Sequence, residues 1–153
     1  MPEVSARTIV VLGFDFGLKR IGIAAGDSLT RGARPIATVA ARNGEPDWAM
    51  IDRYIRDWDP ALFVVGVPYN MDGSASTLTD AAVAFAADLG VRHRRPVESV
   101  DERLSSREAE DQLRRRRASG ERTRRVERGD IDAVAATVLL EQWLRECGRM
   151  LRT

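Results

Sequence analysis

Residues 9–27 read IVVLGFDFGLKRIGIAAGD. An apolar run carries Asp15 to its end, a turn containing Gly17 follows, and a second apolar run leads away. Ile9 and Val11 are apolar, and so are Val10, Leu12, Phe14 and Phe16. Apolar residues at both parities mark a strand buried on both faces, not one half-exposed to water. A carboxylate at the end of such a strand is costly to desolvate unless a metal or a hydrogen-bond network compensates it. The competing reading has Asp15 merely organise the turn at Gly17. It loses ground as further acids are found at comparable places along the chain.

Working outward, Ile21 to Ala25 and roughly Pro35 to Ala40 read as two more strands, joined by short turns into an antiparallel meander. Asn43-Gly44 marks a turn, and Pro46 is placed to open a helix to about Asp57, with Met50, Ile51, Tyr54 and Ile55 on its apolar face. Leu62 to Val67 is a continuous apolar strand. A loop with Pro68, Asn70, Asp72 and Gly73 follows, then an alanine-rich helix to about Leu89 and a short strand from Val97 to Asp101. Ser105 and Glu108 form a capping-box pair for the next helix, which runs out in Arg114-Arg115-Arg116-Arg117. The last helix starts near Asp130 and reaches about Glu146. These elements predict an α/β fold: a mixed five-stranded sheet flanked by helices on both faces. In such sheets ligands bind outside strand ends, where Asp15 sits.

At 153 residues, with no repeat, linker or shift of composition, the chain reads as one domain over 1–153. No apolar stretch approaches the roughly 18 residues of a membrane span, and no signal pattern opens the chain. With the lone Cys147 excluding an intrachain disulfide framework, the expectation is a cytoplasmic protein without membrane contact. Net charge is only +1, but residues 92–128 hold 13 arginines against 8 acids, whereas the first 91 residues hold 8 basic against 11 acidic groups. That asymmetry points to a polyanionic partner. A solvated helix end followed by a mobile loop is the plainer account of the arginine run.

Two further acidic clusters match Asp15. Asp101 and Glu102 end the 97–101 strand; adjacent on an extended chain, they point to opposite faces, so at most one can face a given site. Asp130 and Asp132 open the last helix. Asp132 shares a face with Ala135, Ala136, Leu139 and Trp143, so its carboxylate points toward the core's edge, while Asp130 stands where an N-cap belongs. Acids drawn from two strand ends and a helix start suit a hard divalent cation such as Mg²⁺, which takes oxygen ligands and substrate phosphates. A zinc site lacks its ligands, for there is no HExxH or CxxC pattern, and the single histidine, His93, reads as a surface residue of a basic loop. Phosphodiester cleavage without a histidine pair would be metal-driven.

The stretches GFDFGLKRIGIAAGD (13–27), RPIATV (34–39), VVGVPYNMDGS (64–74), DERLSS (101–106) and IDAVAATVLLEQWL (131–144) together resemble the YqgF (RuvX-like) family of the ribonuclease H-like superfamily, in the family's order and over almost the whole chain. The resemblance implies a ribonuclease H-like nuclease that processes the 5′ end of precursor 16S rRNA in ribosome biogenesis. It implies Asp15, Glu102 and Asp132 as a catalytic triad that also binds the metal, Mg²⁺ or Mn²⁺, and so selects Glu102 over Asp101. Family members often carry a lysine where this chain has Asp130; an acid there adds a ligand or weakens phosphate binding. Substrate contacts are expected from Lys19, Arg20, Asn70, Asp72, Ser74, Arg103, Arg114, Arg115, Arg116 and Arg117. Ser74 could begin a helix whose N–H groups attract phosphate, and Asp72 could equally be a turn-former. The expected partners are precursor rRNA, structured DNA and a pre-ribosomal particle, with the protein a monomer or weak dimer.

Three other readings compete. A nuclease of branched DNA uses the same phosphate contacts and metals. An actin-like ATPase shares the D-x-G turn but needs two lobes, and 153 residues supply one. A non-catalytic RNA-binding module would use the arginine-rich segment alone.

Overall fold

The computed structural model describes residues 8–102 and 128–147, the side chains of 128–130 excepted. The expected helix capped by Ser105, together with Arg103 and Arg114 to Arg117, lies outside the described residues. In chain order the elements are β1 (Val10–Asp15), β2 (Arg20–Asp27), β3 (Ala33–Arg42), β4 (Glu45–Pro46), α1 (Trp48–Trp58), β5 (Leu62–Val67), α2 (Thr77–His93), β6 (Val97–Asp101) and α3 (Arg128–Cys147). They form one mixed sheet in the order β4-β3-β2-β1-β5-β6. The meander β1–β2–β3–β4 is antiparallel, and β1–β5 and β5–β6 are parallel.

The sheet has six strands among the described residues rather than five. The sixth, β4, is two residues long and exists because Asn43 and Gly44 both take positive φ (53° and 82°). That is the backbone of a tight hairpin turn whose twist matches the flanking strands, and it returns the chain so that Ala41 pairs with Pro46 and Arg42 with Glu45. Pro46 therefore ends a strand instead of opening a helix. Asp47 caps α1, its Oδ1 accepting from the Met50 N–H at 3.3 Å. β2 and β3 run beyond their apolar centres because antiparallel pairing continues through Gly26, Ala33 and Arg34 once the register is set. β5 and β6 run as the sequence predicts.

Strand parity sorts the core into two layers. Leu12, Phe14, Ile21, Ile23, Phe63 and Val65 pack with Ile51 and Ile55 of α1 and Ala82, Phe85 and Leu89 of α2. The opposite parity, Val11, Ala24, Leu62 and Val64, packs against Ala136, Leu139, Leu140, Trp143 and Leu144 of α3. Helices thus cover both faces, which is why the strands are apolar at both parities. Cys147 is half-buried against the α3 layer. No helix among the described residues is long and apolar enough to cross a membrane.

His93 is not a loop residue. It ends α2, where its Nε2 lies 2.9 Å from Asp52 Oδ1 and its ring meets Phe63 edge-on. Arg92 grips the same carboxylate through Nε and Nη2 at 3.1 and 2.9 Å. The helix carries His93 onto α1 because α2 continues one turn past Leu89.

Candidate active site

Asp15 is the last residue of β1, of the same parity as Val11 and Gly13, so it faces the α3 layer. Its register partners are Gly22 on β2 and Gly66 on β5. Glycine weakens a strand interior and commonly marks the close approach of another chain segment. Here it does so twice. A Cβ on Gly22 would collide with the Asp132 carbonyl and stand 2.8 Å from the Ala133 nitrogen. A Cβ on Gly66 would stand 2.8 Å from Glu102 Cγ, Glu102 Oε1 and Leu139 Cδ2.

Glu102 follows β6 by one residue, its N–H donating to the Val67 carbonyl at 3.2 Å. Val100 packs in the α3 layer and Val97 in the other, so Glu102 turns toward α3 while the exposed Asp101 takes the opposite parity. Glu102 is 6% exposed. It hydrogen-bonds Asp15, while its buried Oε1 has no hydrogen-bond partner among the described residues. Asp132, in the first turns of α3, has its Oδ2 2.8 Å from Arg20 Nε in a half-buried ion pair.

The electrostatics follow from this crowding. Burial pushes the Glu102 carboxyl up to about 10, helped by the hydrogen bond to Asp15 and by the charges of Asp15, Asp101 and Asp132. Burial also raises Asp15; the Glu102 hydrogen bond works against that rise and the Asp132 charge adds to it. At neutral pH Glu102 therefore keeps its proton. The structure brings Asp15 and Glu102 into contact and Asp132 within electrostatic reach of both. Among the described residues no three His, Cys, Asp or Glu side chains form a ready-made metal cage. Asp132 is turned to Arg20. The donor set nonetheless fits a hard cation: all three groups offer carboxylate oxygens, and the partnerless Oε1 is the kind of buried acceptor that needs a positive partner.

The remaining expected residues fall into three groups. Lys19 is exposed in the β1–β2 turn, next to Arg20 at the start of β2. Asn70, Asp72 and Ser74 organise their own loop: Asp72 Oδ1 accepts from the Ser74 N–H at 2.9 Å and hydroxyl at 2.6 Å, and Asn70 Nδ2 donates to Ser74 Oγ at 2.9 Å. Ser74 does not begin a helix. α2 starts at Thr77, capped by Ser76 in a reciprocal box with Thr79, whose hydroxyl also bonds the Pro68 carbonyl. That box takes up the Ser76 and Thr79 N–H groups. α3 already includes Arg128, so Asp130 lies inside the helix and not at the cap position. An open groove of about 340 Å³ at the ends of β5 and β6 is lined by Val67, Tyr69, Gly73, Ser99, Val100 and Asp101, so Asp101 and not Asp15, Glu102 or Asp132 lines it. A groove of about 350 Å³ lies at the far end of β1 beside Val10, Arg34 and Trp58. Its one acid, Asp27, is taken up by the Leu29 and Thr30 N–H groups at 3.0 and 2.8 Å.

Sequence reasoning missed Gly22, Gly66 and the Arg20–Asp132 pair. The two glycines were visible as interruptions in apolar strands, RIGIAAGD and LFVVGV; their common register with Asp15 was not.

Residues 9–146 match the family model described as RuvX, Holliday junction resolvase. The "Putative pre-16S rRNA nuclease" of Coxiella burnetii (strain RSA 331 / Henzerling II) is 46% identical over 140 residues, 92% of this chain and 95% of that one. The protein of the same name from Nitrosococcus oceani is 46% identical over 138 residues, covering 90% and 87%. In three dimensions the chain is similar to T. thermophilus RuvC in complex with Holliday junction substrate, with a TM-score of 0.56, 18% identity and 93% and 96% coverage. It is also similar to a fowlpox virus resolvase solved with Holliday junction DNA, with a TM-score of 0.55, 11% identity and 90% and 98% coverage. Those likenesses establish the fold alone, a ribonuclease H-like one, and the match over nearly the whole sequence establishes that the chain belongs to the RuvX family.

Proposed function

We propose that this protein is a divalent-metal-dependent endonuclease that hydrolyses phosphodiester bonds in the cytoplasm, its substrate the 5′ leader of precursor 16S rRNA. The observation that carries the reading is the buried, partnerless Oε1 of Glu102 beside Asp15. Nothing in a purely structural account explains leaving an acid there at a desolvation cost. Asp15, Glu102 and Asp132 would hold Mg²⁺ or Mn²⁺. When bound at such acids, these ions activate water and stabilise the leaving oxygen of an in-line displacement.

The chain's own residues prepare that site. Glu102 keeps a proton in the free site and becomes a ligand only when it leaves. Arg20 balances the Asp132 charge and fixes the direction of its carboxylate. Lys19, exposed beside Arg20, lies where a substrate phosphate approaches; such contacts position the strand without reading its sequence. Arg103 and Arg114 to Arg117 add backbone contacts in the same reading. Replacing Arg114 to Arg117 by glutamine should weaken nucleic-acid binding and flatten its salt dependence.

RNA is the favoured substrate because the close relatives carry the rRNA nuclease name. Four-way junction DNA is the second reading, favoured by the family model's description and the DNA-bound structural neighbours. The deciding experiment offers a precursor rRNA leader, duplex DNA and a four-way junction to wild type and Asp15→Asn, with and without Mn²⁺. Metal-dependent cleavage of the leader, lost in Asp15→Asn, is the expected result. Cleavage of the junction alone would move the substrate to DNA. Equal cleavage by Asp15→Asn would remove the acids from the chemistry.

A further inference from the structure

We propose that Gly22 and Gly66 are positioning residues of the acidic site, with the missing side chain at both places letting Asp132 and Glu102 close on Asp15 from opposite flanks. The inference deepens the reading of Asp15, Glu102 and Asp132 as cation ligands and rests on it.

Three strands lie side by side here, and Asp15 is in register with Gly22 on one side and Gly66 on the other. Neighbouring strands are about 4.8 Å apart, so the glycines stand roughly 10 Å from each other with the carboxylate between them. All three residues face α3. One step further along that face the strands carry Ala24, Gly13 and Val64, where Ala24 and Val64 pack on the helix as ordinary core residues.

The obstruction a side chain would cause differs on the two flanks. At Gly22 it would strike main chain, the Asp132 carbonyl and the Ala133 nitrogen, so the α3 backbone lies directly on the β2 backbone. At Gly66 two of the three nearest atoms belong to Glu102 itself, Cγ and Oε1, both at 2.8 Å. Oε1 is also the oxygen without a hydrogen-bond partner among the described residues. A methyl group on Gly66 would thus displace the atom best placed to meet a cation. Each glycine costs strand stability, and each cost falls beside an acid.

The third neighbour of Gly66, Leu139 Cδ2 at 2.8 Å, supplies the competing explanation that the glycine only accommodates helix packing. Leu139→Val removes that atom and nearly offsets the added methyl, leaving Glu102 as the obstruction. The experiment measures Mn²⁺ affinity by electron paramagnetic resonance and melting temperature for the full chain. The proteins compared are wild type, Asp15→Asn, Gly13→Ala, Gly66→Ala, Leu139→Val and the double variant Gly66→Ala/Leu139→Val.

Gly66→Ala should weaken Mn²⁺ binding about ten- to hundredfold, the range found when groups orienting metal ligands are altered. The loss should persist in the double variant while its melting temperature recovers toward wild type. Leu139→Val alone, and Gly13→Ala, whose Cβ would crowd Leu140 at 3.0 Å on the same helix, should keep wild-type affinity. Wild-type affinity in the double variant, or an equal loss in Gly13→Ala, would overturn the glycine inference while leaving the metal site standing. Equal Mn²⁺ binding by wild type and Asp15→Asn would instead overturn the metal site and the inference with it.

Discussion

Replacing Glu102 by glutamine should stabilise the metal-free protein, and by more as the pH rises. The folded carboxyl is pushed from its usual 4.5 to about 10. Between those values the folded state keeps a proton that the unfolded chain has released. Because the folded state binds more protons there, stability falls as pH rises, by about 1.4 kcal/mol per unit for one group. The contribution is whole below pH 4.5, declines up to about 10, and is flat above. At pH 7 the loss relative to acid is about 3 kcal/mol. This figure depends only on the unfolded value as long as the folded one lies well above 7. Glutamine carries no such proton, so Glu102→Gln should recover about that amount, less any change in its hydrogen bond to Asp15. For a chain of this length that corresponds to roughly 6–12 °C in melting temperature. The assay is urea denaturation of both proteins in a chelator from pH 5 to 9, read as the difference between them so that other acids cancel. A difference that stays constant with pH would refute the argument. It would mean that Glu102 titrates normally and is not buried against Asp15.

Three further outcomes are expected. Asp132→Asn should abolish cleavage while circular dichroism and thermal unfolding remain those of a folded protein, because the lost Arg20 pair is half-exposed and worth less than about 1 kcal/mol; a globally unfolded variant would assign Asp132 a structural role. Asp52 lies below the usual carboxylate range chiefly through its hydrogen bond to Arg92, so its contribution is present above pH 3.8 and lost as pH falls through its lower folded value. Asp52→Asn should therefore cost under about 1 kcal/mol at pH 7 and flatten the acid limb of the stability curve, and an unchanged acid limb would count against it. Phe85 touches Phe14, Phe16 and Trp48 at ring distances of 5.7, 5.1 and 5.6 Å, so Phe85→Ala should cost about 3–5 kcal/mol in urea denaturation; a loss below 1 kcal/mol would mean that the cluster closes over the gap.

The sequence by itself determined the sheet and its covering. Apolar residues at both parities around Leu12 and Phe14, and from Leu62 to Val67, can only be satisfied by helices on both faces. The periodicity of 131–144 placed Asp132 on the inward side of its helix, because burial repeats at helical spacing wherever a helix meets a core. Local chemistry misled at segment ends. Pro46 reads as a helix opener and Ser74 as a helix start, yet the Asn43-Gly44 hairpin and the Ser76–Thr79 box claimed those positions. Such boundaries are settled by which neighbour completes the hydrogen bonds, and the neighbour comes from elsewhere in the chain.

Which side chains meet at the candidate site is legible only in the tertiary structure. Whether Asp101 or Glu102 faces Asp15 depends on which parity of β6 meets α3, and the parallel register of β6 on β5 sets that. The bond between Arg20 and Asp132 spans 112 positions. Gly22 and Gly66 acquire meaning only when both fall beside Asp15. Side-chain type and local spacing are carried by short-range rules that a sequence displays, whereas register between distant strands is a property of the assembled sheet.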